Sequence, residues 1–153
     1  MENLIAQFYE AIKLGKNDHL EQIIHEDFTL ICPTQDHVLS GVYRGKERFF
    51  GTVLPHVFGC VESSDIVFCK EHRVLCASGS VVVAIATNDG FARRGDAPYN
   101  QVYLHIFNIQ DGQIHSLIEA FDTALANRAL WGDSDDLQAD HDFSMDELIA
   151  RGF

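Results

Sequence analysis

The side chains best suited to acid–base chemistry lie between residues 99 and 123. Asp111-Gly112 is a two-residue turn between aromatic and β-branched residues, which predicts a β-hairpin. With Gln110 opposite Gln113, the alternation of strand side chains predicts one shared face. The members of that face are Tyr99, Gln101, Tyr103, His105, Phe107, Ser116, Ile118, Ala120 and Asp122. This face therefore combines aromatic side chains with polar groups that could handle protons.

Asp122 is the candidate general acid/base on this face. A carboxylate among aromatic rings is unstable unless it meets water, a partner or a ligand, and desolvation there suits it to accept and return a proton. Gln101 could orient Asp122, His105 could act as a donor or second base, and Tyr103 could be a wall or a phenol donor. The alternative is that Asp122 terminates the strand and accepts hydrogen bonds from the backbone or from Gln101.

The same stretch carries a family resemblance. The pattern Y-N-x-x-Y-x-x-x-F-x-x-x-D-G-x-I followed by E-x-x-D-T resembles the closing region of SnoaL-like, ketosteroid-isomerase-related proteins of the NTF2-like superfamily. The matching residues are Tyr99, Asn100, Tyr103, Phe107, Asp111, Gly112, Ile114, Glu119, Asp122 and Thr123. Upstream, S-G-V-Y-R-G-K-E-R-F-F resembles the family's link into its third helix, so the resemblance spans about residues 2–130.

The resemblance implies a cofactor-free, metal-free enzyme that moves a proton on a hydrophobic carbonyl-bearing substrate, as a lyase, cyclase or isomerase. It also implies that Asp122, in E-A-F-D-T, matches the general acid/base of the SnoaL-like polyketide cyclases. The fold alone assigns no reaction. A non-catalytic binding domain for a small hydrophobic ligand is therefore the alternative.

Two departures argue against steroid isomerisation. Cys32, before Pro33, stands where ketosteroid isomerases have their Asp base, and Phe8 stands where their first helix has the Tyr donor. Without a base and a donor, that reaction loses its two main contributions to catalysis. Asp36 could partly replace the base, and Tyr9 is adjacent to Phe8.

Besides the candidate catalytic residues Asp122, His105 and Gln101, seven residues are expected to contact the substrate. They are Tyr9, Cys32, Asp36, His56, Tyr99, Tyr103 and Ile118. Two of them have a simpler interpretation. Tyr9 would be a half-buried tyrosine with its hydroxyl in water, and His56 would be either at the cavity rim or exposed after a helix.

Apolar spacing predicts helices over residues 2–14 and from residue 17 or 18, then a strand over residues 27–32. A third helix starts at Gly45 or Lys46, and Pro55 should end or kink it. Strands over residues 61–70 and 73–87, joined at Glu71-His72, precede the hairpin. Helices first and strands later is an α+β pattern, and with the resemblance it predicts a cone: a curved mixed or antiparallel sheet closed by three helices of the N-terminal half around an apolar pocket.

The formal net charge is −12, and the stretch from Gly132 to Glu147 contains seven acidic residues and no Lys or Arg. We therefore divide the chain into a domain over residues 1–131 and an acidic, solvated extension over residues 132–153. The charge disfavours nucleic acid. No signal peptide or membrane span is apparent, and the four cysteines lack metal-site spacing, so free thiols in a cytoplasmic protein are expected.

The expected partners are a small hydrophobic molecule and a second copy of the chain. The outward face of the hairpin would carry Val102, Leu104, Ile106, Leu117 and Phe121. Such a face is too apolar for solvent unless the acidic extension covers it. The sequence therefore predicts a homodimer, with no membrane or nucleic-acid partner.

Overall fold

The chain opens with two helices, α1 (Glu2–Leu14) and α2 (Asn17–Ile23), where the apolar spacing predicts them. Gly15 ends α1 in the left-handed conformation, with φ of 62°, which glycine adopts without strain. The buried face of α1 includes Phe8 and Tyr9. The computed structural model describes residues 1–35, 37–92, 98–132 and 134–153.

The third helix, α3, covers residues 46–59 and has a π-helical segment, Phe49–Val53, at its centre. Pro55 has no backbone N–H and cannot complete an α-helical hydrogen bond, and the wider π-turn just before it absorbs the mismatch. Pro55 therefore does not end the helix, which continues to Gly59.

Six strands form one curved mixed sheet. They are β1 (Ile24–Cys32), β2 (Gly41–Arg44), β3 (Ile66–Ser78), β4 (Val81–Gly90), β5 (Val102–Gln110) and β6 (Gln113–Phe121). The order across the sheet is β2-β1-β6-β5-β4-β3. β1 and β6 are parallel, and the other neighbours are antiparallel. The predicted α+β fold class is confirmed.

The predicted break between the third and fourth strands is wrong. The chain turns at Gly79, with φ of 56°, and not at Glu71-His72, which lie inside β3. β3 is an edge strand, and residues 70–73 are exposed. Polar side chains are therefore stable in the middle of this strand, and they do not mark a turn.

The main core lies between the concave face of the sheet and helices α1 and α3. Buried residues from all of these elements form one continuous cluster, including Phe8, Leu30, Phe49 and Phe107. A second, smaller cluster lies on the opposite face of the sheet. None of the helices in the described part of the chain combines the length and apolarity that a membrane span requires.

The acidic C-terminal extension packs against the sheet, so its interpretation as a solvated segment is wrong. It contains a short helix, α5 (Met145–Ala150), whose N-cap Ser144 accepts a hydrogen bond from the backbone of Glu147. Phe143, Leu148 and Phe153 pack on the second cluster, formed by Ile31, Val42 and Ile118. Asp140 and His141 also form backbone hydrogen bonds with Val42 of the edge strand β2.

Glu147 anchors this extension. Its side chain is buried, and its two oxygens accept hydrogen bonds from Arg44 and Arg151, each at 2.8 Å. Burial alone would raise the pKa of Glu147, but the hydrogen bonds and charges of Arg151 and Arg44 outweigh it and hold that pKa below its usual value. The carboxylate therefore stays ionised and connects α5 to β2.

Candidate active site

A one-residue β-bulge in β6 decides which acid faces the cavity. Gln110 pairs with Gln113 as predicted, but Asn108 then pairs with Ser116, which leaves His115 as the extra residue. Because side chains alternate along a strand, one extra residue moves every later side chain to the opposite face. His105 therefore lies opposite Glu119, and the predicted pairing of His105 with Ile118 is wrong.

Glu119 ends a buried chain of hydrogen bonds. The Tyr9 hydroxyl lies 2.8 Å from His105 Nδ1, and His105 Nε2 lies 2.9 Å from Glu119 Oε2. His105 is 2 % exposed and the Glu119 side chain 21 % exposed. An ionised Glu119 can only accept, so Nε2 carries the imidazole proton and Nδ1 accepts from Tyr9. This arrangement leaves Glu119 Oε1 for another partner.

Tyr9 is fully buried, so its interpretation as a half-buried tyrosine with its hydroxyl in water is wrong. Its ring stacks on His72, with ring centroids 4.4 Å apart. Burial, together with the negative charge of Glu119 nearby, raises the pKa of Tyr9 far above its usual range. Tyr9 is therefore a permanent hydrogen-bond donor that fixes the orientation of the His105 ring.

Glu119 and His105 line an apolar cavity of about 70 Å³ between the sheet and helices α1 and α3. The other lining residues are Phe8, Ile12, Leu30, Leu39, Phe49, Val53, Leu54, Val57, Phe58, Phe68, Cys69, Tyr103 and Leu117. One water needs roughly 10–15 Å³ on this measure, so the cavity has room for about five water-sized groups. It is therefore a site for a small and largely apolar molecule.

Glu119 also lines a smaller chamber of about 20 Å³. This chamber shares Leu39, Val57, Tyr103 and Glu119 with the main cavity, and adds Tyr99, Phe121, Leu130 and Trp131. We call this space the second chamber. Glu119 therefore lines both spaces and is the only carboxylate among their described lining residues.

Two tyrosine hydroxyls form a second polar group beside Glu119. The hydroxyls of Tyr99 and Tyr103 lie 3.4 Å apart, Gln101 Nε2 donates to Tyr99, and Asn88 Nδ2 donates to Tyr103. Burial raises the pKa of Tyr99 to about 12 and that of Tyr103 well above its usual value, so both keep their protons. Only one of the two protons is used between them, and the other has no acceptor among the described residues.

Asp122 does not lie in the cavity. It is exposed, and its Oδ1 accepts a hydrogen bond of 2.9 Å from the backbone N–H of Leu125. It therefore caps helix α4, which covers residues 123–131. The prediction that Asp122 shares a face with His105 is wrong, because the bulge at His115 gives that place to Glu119. The contacts of Asp122 match the alternative interpretation, in which it follows the strand and accepts a hydrogen bond from the backbone.

Replacing Asp122 by Ala should lower the free energy of unfolding by about 1 kcal/mol, the usual cost of losing an N-cap. The replacement should leave ligand binding in the cavity unchanged, because Asp122 lines neither space. Chemical denaturation measures the first effect, and ligand titration measures the second. A variant of normal stability that no longer binds would contradict this assignment.

Gln101 is buried, but its amide is occupied by the backbone. Nε2 donates to the Asp122 carbonyl at 2.9 Å, and Oε1 accepts from the backbone N–H groups of Val102 and Asp122. The side chain therefore continues the pairing of β5 and β6 beyond their ends. The prediction that Gln101 orients a carboxylate is therefore wrong. Its contact with the site is the hydrogen bond to Tyr99.

The other predicted contacts divide between the site and its surroundings. Tyr103 lines both spaces, and Tyr99 lines the second chamber. Ile118 lies on the opposite face of the sheet, under the C-terminal extension, because of the same bulge. Cys32 is fully buried in the main core, and burial raises its pKa. His56 is partly exposed, with its ring centroid 5.9 Å from that of Trp131. Asp36 lies outside the described residues.

Sequence reasoning missed three residues of the site. Counting from the predicted Asp111-Gly112 turn puts Glu119 on the outer face of the hairpin, and the sequence marks neither Cys69 nor Trp131 as a cavity residue. Cys69 lines the cavity in a left-handed backbone conformation, with φ of 49°, at a shift in the pairing of β3 with β4. The sequence feature that could have pointed to Glu119 is its place as the Glu of the E-x-x-D-T pattern. The described residues contain no group of three or more side chains that could hold a metal ion.

Comparison with known proteins agrees on the fold. No protein-family model matches the sequence, and no curated protein matches it at a significant level. Solved structures do match. An NTF2-like protein of unknown function from Burkholderia pseudomallei superposes with a TM-score of 0.71 at 18 % identity, covering 84 % of this chain and 95 % of that one.

Two further structures contain a ligand or are enzymes. TerC, co-crystallised with polyporic acid, has a TM-score of 0.69 at 19 % identity over 82 % of this chain and 94 % of that one. An LEH-like epoxide hydrolase of Mycobacterium tuberculosis has a TM-score of 0.54 at 19 % identity over 80 % and 82 %. At these identities the likeness concerns architecture. The chain has the fold of the NTF2-like superfamily, as its sequence resemblance predicts.

Proposed function

We propose that this protein is a cofactor-free enzyme that transfers a proton within a small, uncharged, carbonyl-bearing molecule. The observation that carries the proposal is the Glu119 carboxylate, held by buried His105 on the wall of an apolar cavity that Tyr103 also lines. A base and a hydrogen-bond donor beside one apolar space are what enolisation requires.

In the proposed reaction, Glu119 Oε1 takes the proton from the carbon next to the carbonyl. The C–H electron pair moves into the new C=C bond, and the carbonyl oxygen becomes an enolate oxygen. The free phenolic proton of the Tyr99–Tyr103 pair donates to that oxygen as its charge develops. In a β,γ-unsaturated substrate, return of the proton from Glu119 to the γ-carbon re-forms the carbonyl and completes an isomerisation. In a substrate with a β-substituent, the carbonyl re-forms, the substituent leaves with the electron pair of its bond to carbon, and the proton on Glu119 passes to it, which completes a lyase reaction.

His105 and Tyr9 act as positioning residues. The bond from His105 Nε2 fixes Glu119 Oε2, so the carboxylate is oriented before the substrate arrives. The bond from Tyr9 in turn fixes the tautomer of His105. Orientation of the reacting group removes part of the entropic cost of the reaction.

Cavity size supports a small substrate. About 70 Å³ is well below the ~300–1,000 Å³ of sites that hold drug-sized ligands. A four-ring steroid does not fit, and Cys32 and Phe8 replace the base and donor of ketosteroid isomerases. The TerC–polyporic acid complex and the epoxide hydrolase also support the proposal, since they place a small molecule and catalysis on this architecture in other proteins.

Hydrogen–deuterium exchange tests the proposal without knowledge of the natural substrate. The full-length protein is incubated in D₂O with a panel of four- to six-carbon ketones, aldehydes and enones, and loss of the α-proton signal is followed by NMR. We expect saturable exchange for at least one neutral member. Binding without exchange across the panel would favour the alternative, a non-catalytic domain for a small hydrophobic ligand.

We also propose that the protein is a homodimer formed by the outer face of β4 and β5. Val102 and Leu104 are 48 % and 41 % exposed there, next to half-buried Val83, Ile85 and Ile106. The sequence predicts that Leu117 and Phe121 also belong to this face, and this is wrong, because the bulge turns both side chains towards the cavity. The C-terminal extension covers the neighbouring Ile118 and leaves Leu104 open.

Replacing Leu104 by Lys should convert a dimer into a monomer, because it places a charge at the centre of this apolar face. Light scattering at micromolar concentration measures the mass of both proteins. Replacement of Leu75, which is 53 % exposed on the edge strand β3, is the matched control and should leave the dimer intact. A monomeric mass for the unmodified chain would contradict the proposal.

A further inference from the structure

The second chamber is lined by an indole. Trp131 and Leu130, from helix α4, line the space that also contacts Glu119, Tyr99 and Tyr103. A substrate that reaches from Glu119 into this chamber therefore meets the Trp131 ring. Whatever holds this ring in place limits the length of molecule that the site accepts.

Trp131 is held by His37. Its Nε1–H donates to His37 Nε2 at 3.1 Å, and both side chains are buried. Since an indole N–H can only donate, His37 Nε2 must be unprotonated for this bond to exist. The Trp131 ring therefore depends on the charge state of one histidine.

A second proton on the His37 ring has to go to Nε2. Because Nε2 accepts from Trp131, Nδ1 carries the proton of the neutral ring, and the 3.3 Å approach of the Leu39 backbone N to Nδ1 is a contact and not a hydrogen bond. The Trp131 ring meets the His37 ring edge-on, the Phe121 ring centroid lies 5.3 Å from that of His37, and the His56 ring centroid lies 5.9 Å from that of Trp131. Protonation of Nε2 would place two N–H groups against each other and break the bond to Trp131.

The charges near His37 do not compensate for its burial. Burial lowers the pKa of His37, and this effect exceeds the opposing effects of the Leu39 and Thr123 backbone and of the Asp136 carboxylate. His37 is therefore neutral at pH 7. As the pH falls, its pKa is reached below the ordinary value of 6.5.

We propose that Trp131, held by neutral His37, sets the length of substrate that the site admits, and that protonation of His37 releases the indole and opens the second chamber. The part that concerns substrate rests on the proposed function. The release of Trp131 does not depend on catalysis.

Trp131 is the single tryptophan of the chain, so its fluorescence reports this event directly. Emission of the full-length protein is measured from pH 8 to pH 5, with far-UV circular dichroism at each point. We expect a red shift with its midpoint below pH 6.5 and unchanged secondary structure. Flat emission over this range, or loss of secondary structure with the same midpoint, would overturn the proposal.

Two variants assign the transition to His37. The His37→Gln variant cannot gain a proton, and its amide oxygen can accept from Trp131, so its emission should not change with pH. The His56→Gln variant is the matched control, because the His56 ring centroid lies 5.9 Å from that of the same indole. It should keep the transition. A transition that survives in His37→Gln but disappears in His56→Gln would show that His56, and not His37, controls the Trp131 ring, and would overturn the proposal.

The length limit is tested by binding. Affinities of linear 2-ketones of increasing length are measured by ligand-observed NMR for the unmodified protein and for Trp131→Leu, with Trp131→Phe as a second, more conservative variant. We expect roughly tenfold tighter binding of the longer ketones relative to the shortest one when Trp131 is shortened. An unchanged length preference in both variants would overturn the inference. Absence of α-proton exchange with a shifted length preference would instead contradict only the proposed catalysis.

Discussion

Replacing Glu119 by Gln should slow α-proton exchange by a factor of about 10²–10⁴, the usual contribution of a positioned general base. The amide keeps the size of the carboxylate but cannot take a proton from carbon at neutral pH. Exchange rates at saturating ketone, measured by NMR for both proteins, give the ratio. Thermal unfolding should show that the variant is folded, since Glu119 lies on the cavity wall and contacts few polar partners.

The matched control is Asp122→Asn. This residue is the other acid of the E-x-x-D-T pattern, but it is exposed and caps helix α4. Its replacement should leave the exchange rate within about twofold of the unmodified protein, since it is outside the reaction. Normal exchange in Glu119→Gln together with slow exchange in Asp122→Asn would show that Asp122, and not Glu119, is the base.

Removal of residues 143–153 should destabilise the protein by about 5 kcal/mol. Phe143, Leu148 and Phe153 pack on a cluster that is fully or nearly fully buried, and each large apolar side chain contributes roughly 1.5–3 kcal/mol when it is buried. That loss is a large part of the ~5–15 kcal/mol that stabilises a domain of this kind. Chemical denaturation of the two proteins measures the difference.

Two point variants in α5 refine this prediction. Leu148→Ala removes a contact with the second cluster and should lower stability, while Ile149→Ala changes a side chain that is 73 % exposed and should have almost no effect. Both substitutions remove the same number of carbon atoms from the same helix. Equal effects of the two would show that the extension contributes helix propensity and no packing.

The sequence predicts those parts of the fold that depend on local patterns. Asp111-Gly112 specifies the hairpin turn, and both residues have the positive φ values that this turn requires. Apolar spacing places α1 and α2, and the resemblance supplies the sheet architecture. Tyr103 and His105 line the main cavity and Tyr99 lines the second chamber, which agrees with the face that strand alternation gives them, while their functional roles stay predictions.

The acid of the site could not be predicted, because it depends on a single bulge. His115 has no sequence signature of a bulge, and the pairing is decided jointly by β5 and β1 on its two sides. The register also shifts on the β1 side between Ile24 and Thr29, where the His25 ring stacks on His115. These contacts are between residues far apart in the chain, and strand alternation converts the resulting one-residue shift into an exchange of Asp122 for Glu119.

The C-terminal extension was misjudged for a similar reason. Its acidic composition is typical of a solvated segment, but Glu147 is matched by Arg44 and Arg151, and Phe143 by a cluster on the sheet. Arg44 is about one hundred residues away along the chain. Composition describes a segment alone, whereas burial depends on the surface it meets.

The protonation of His105 tests the central claim most directly. Long-range ¹H–¹⁵N NMR of the histidine rings distinguishes a protonated from an unprotonated ring nitrogen. If His105 donates to an ionised Glu119 and accepts from Tyr9, then Nε2 carries the proton and Nδ1 does not, and the Nε2 signal moves in Glu119→Gln. A protonated Nδ1 with a bare Nε2, or a ring whose two nitrogens average as in free solution, would show that Glu119 is not held at the cavity wall.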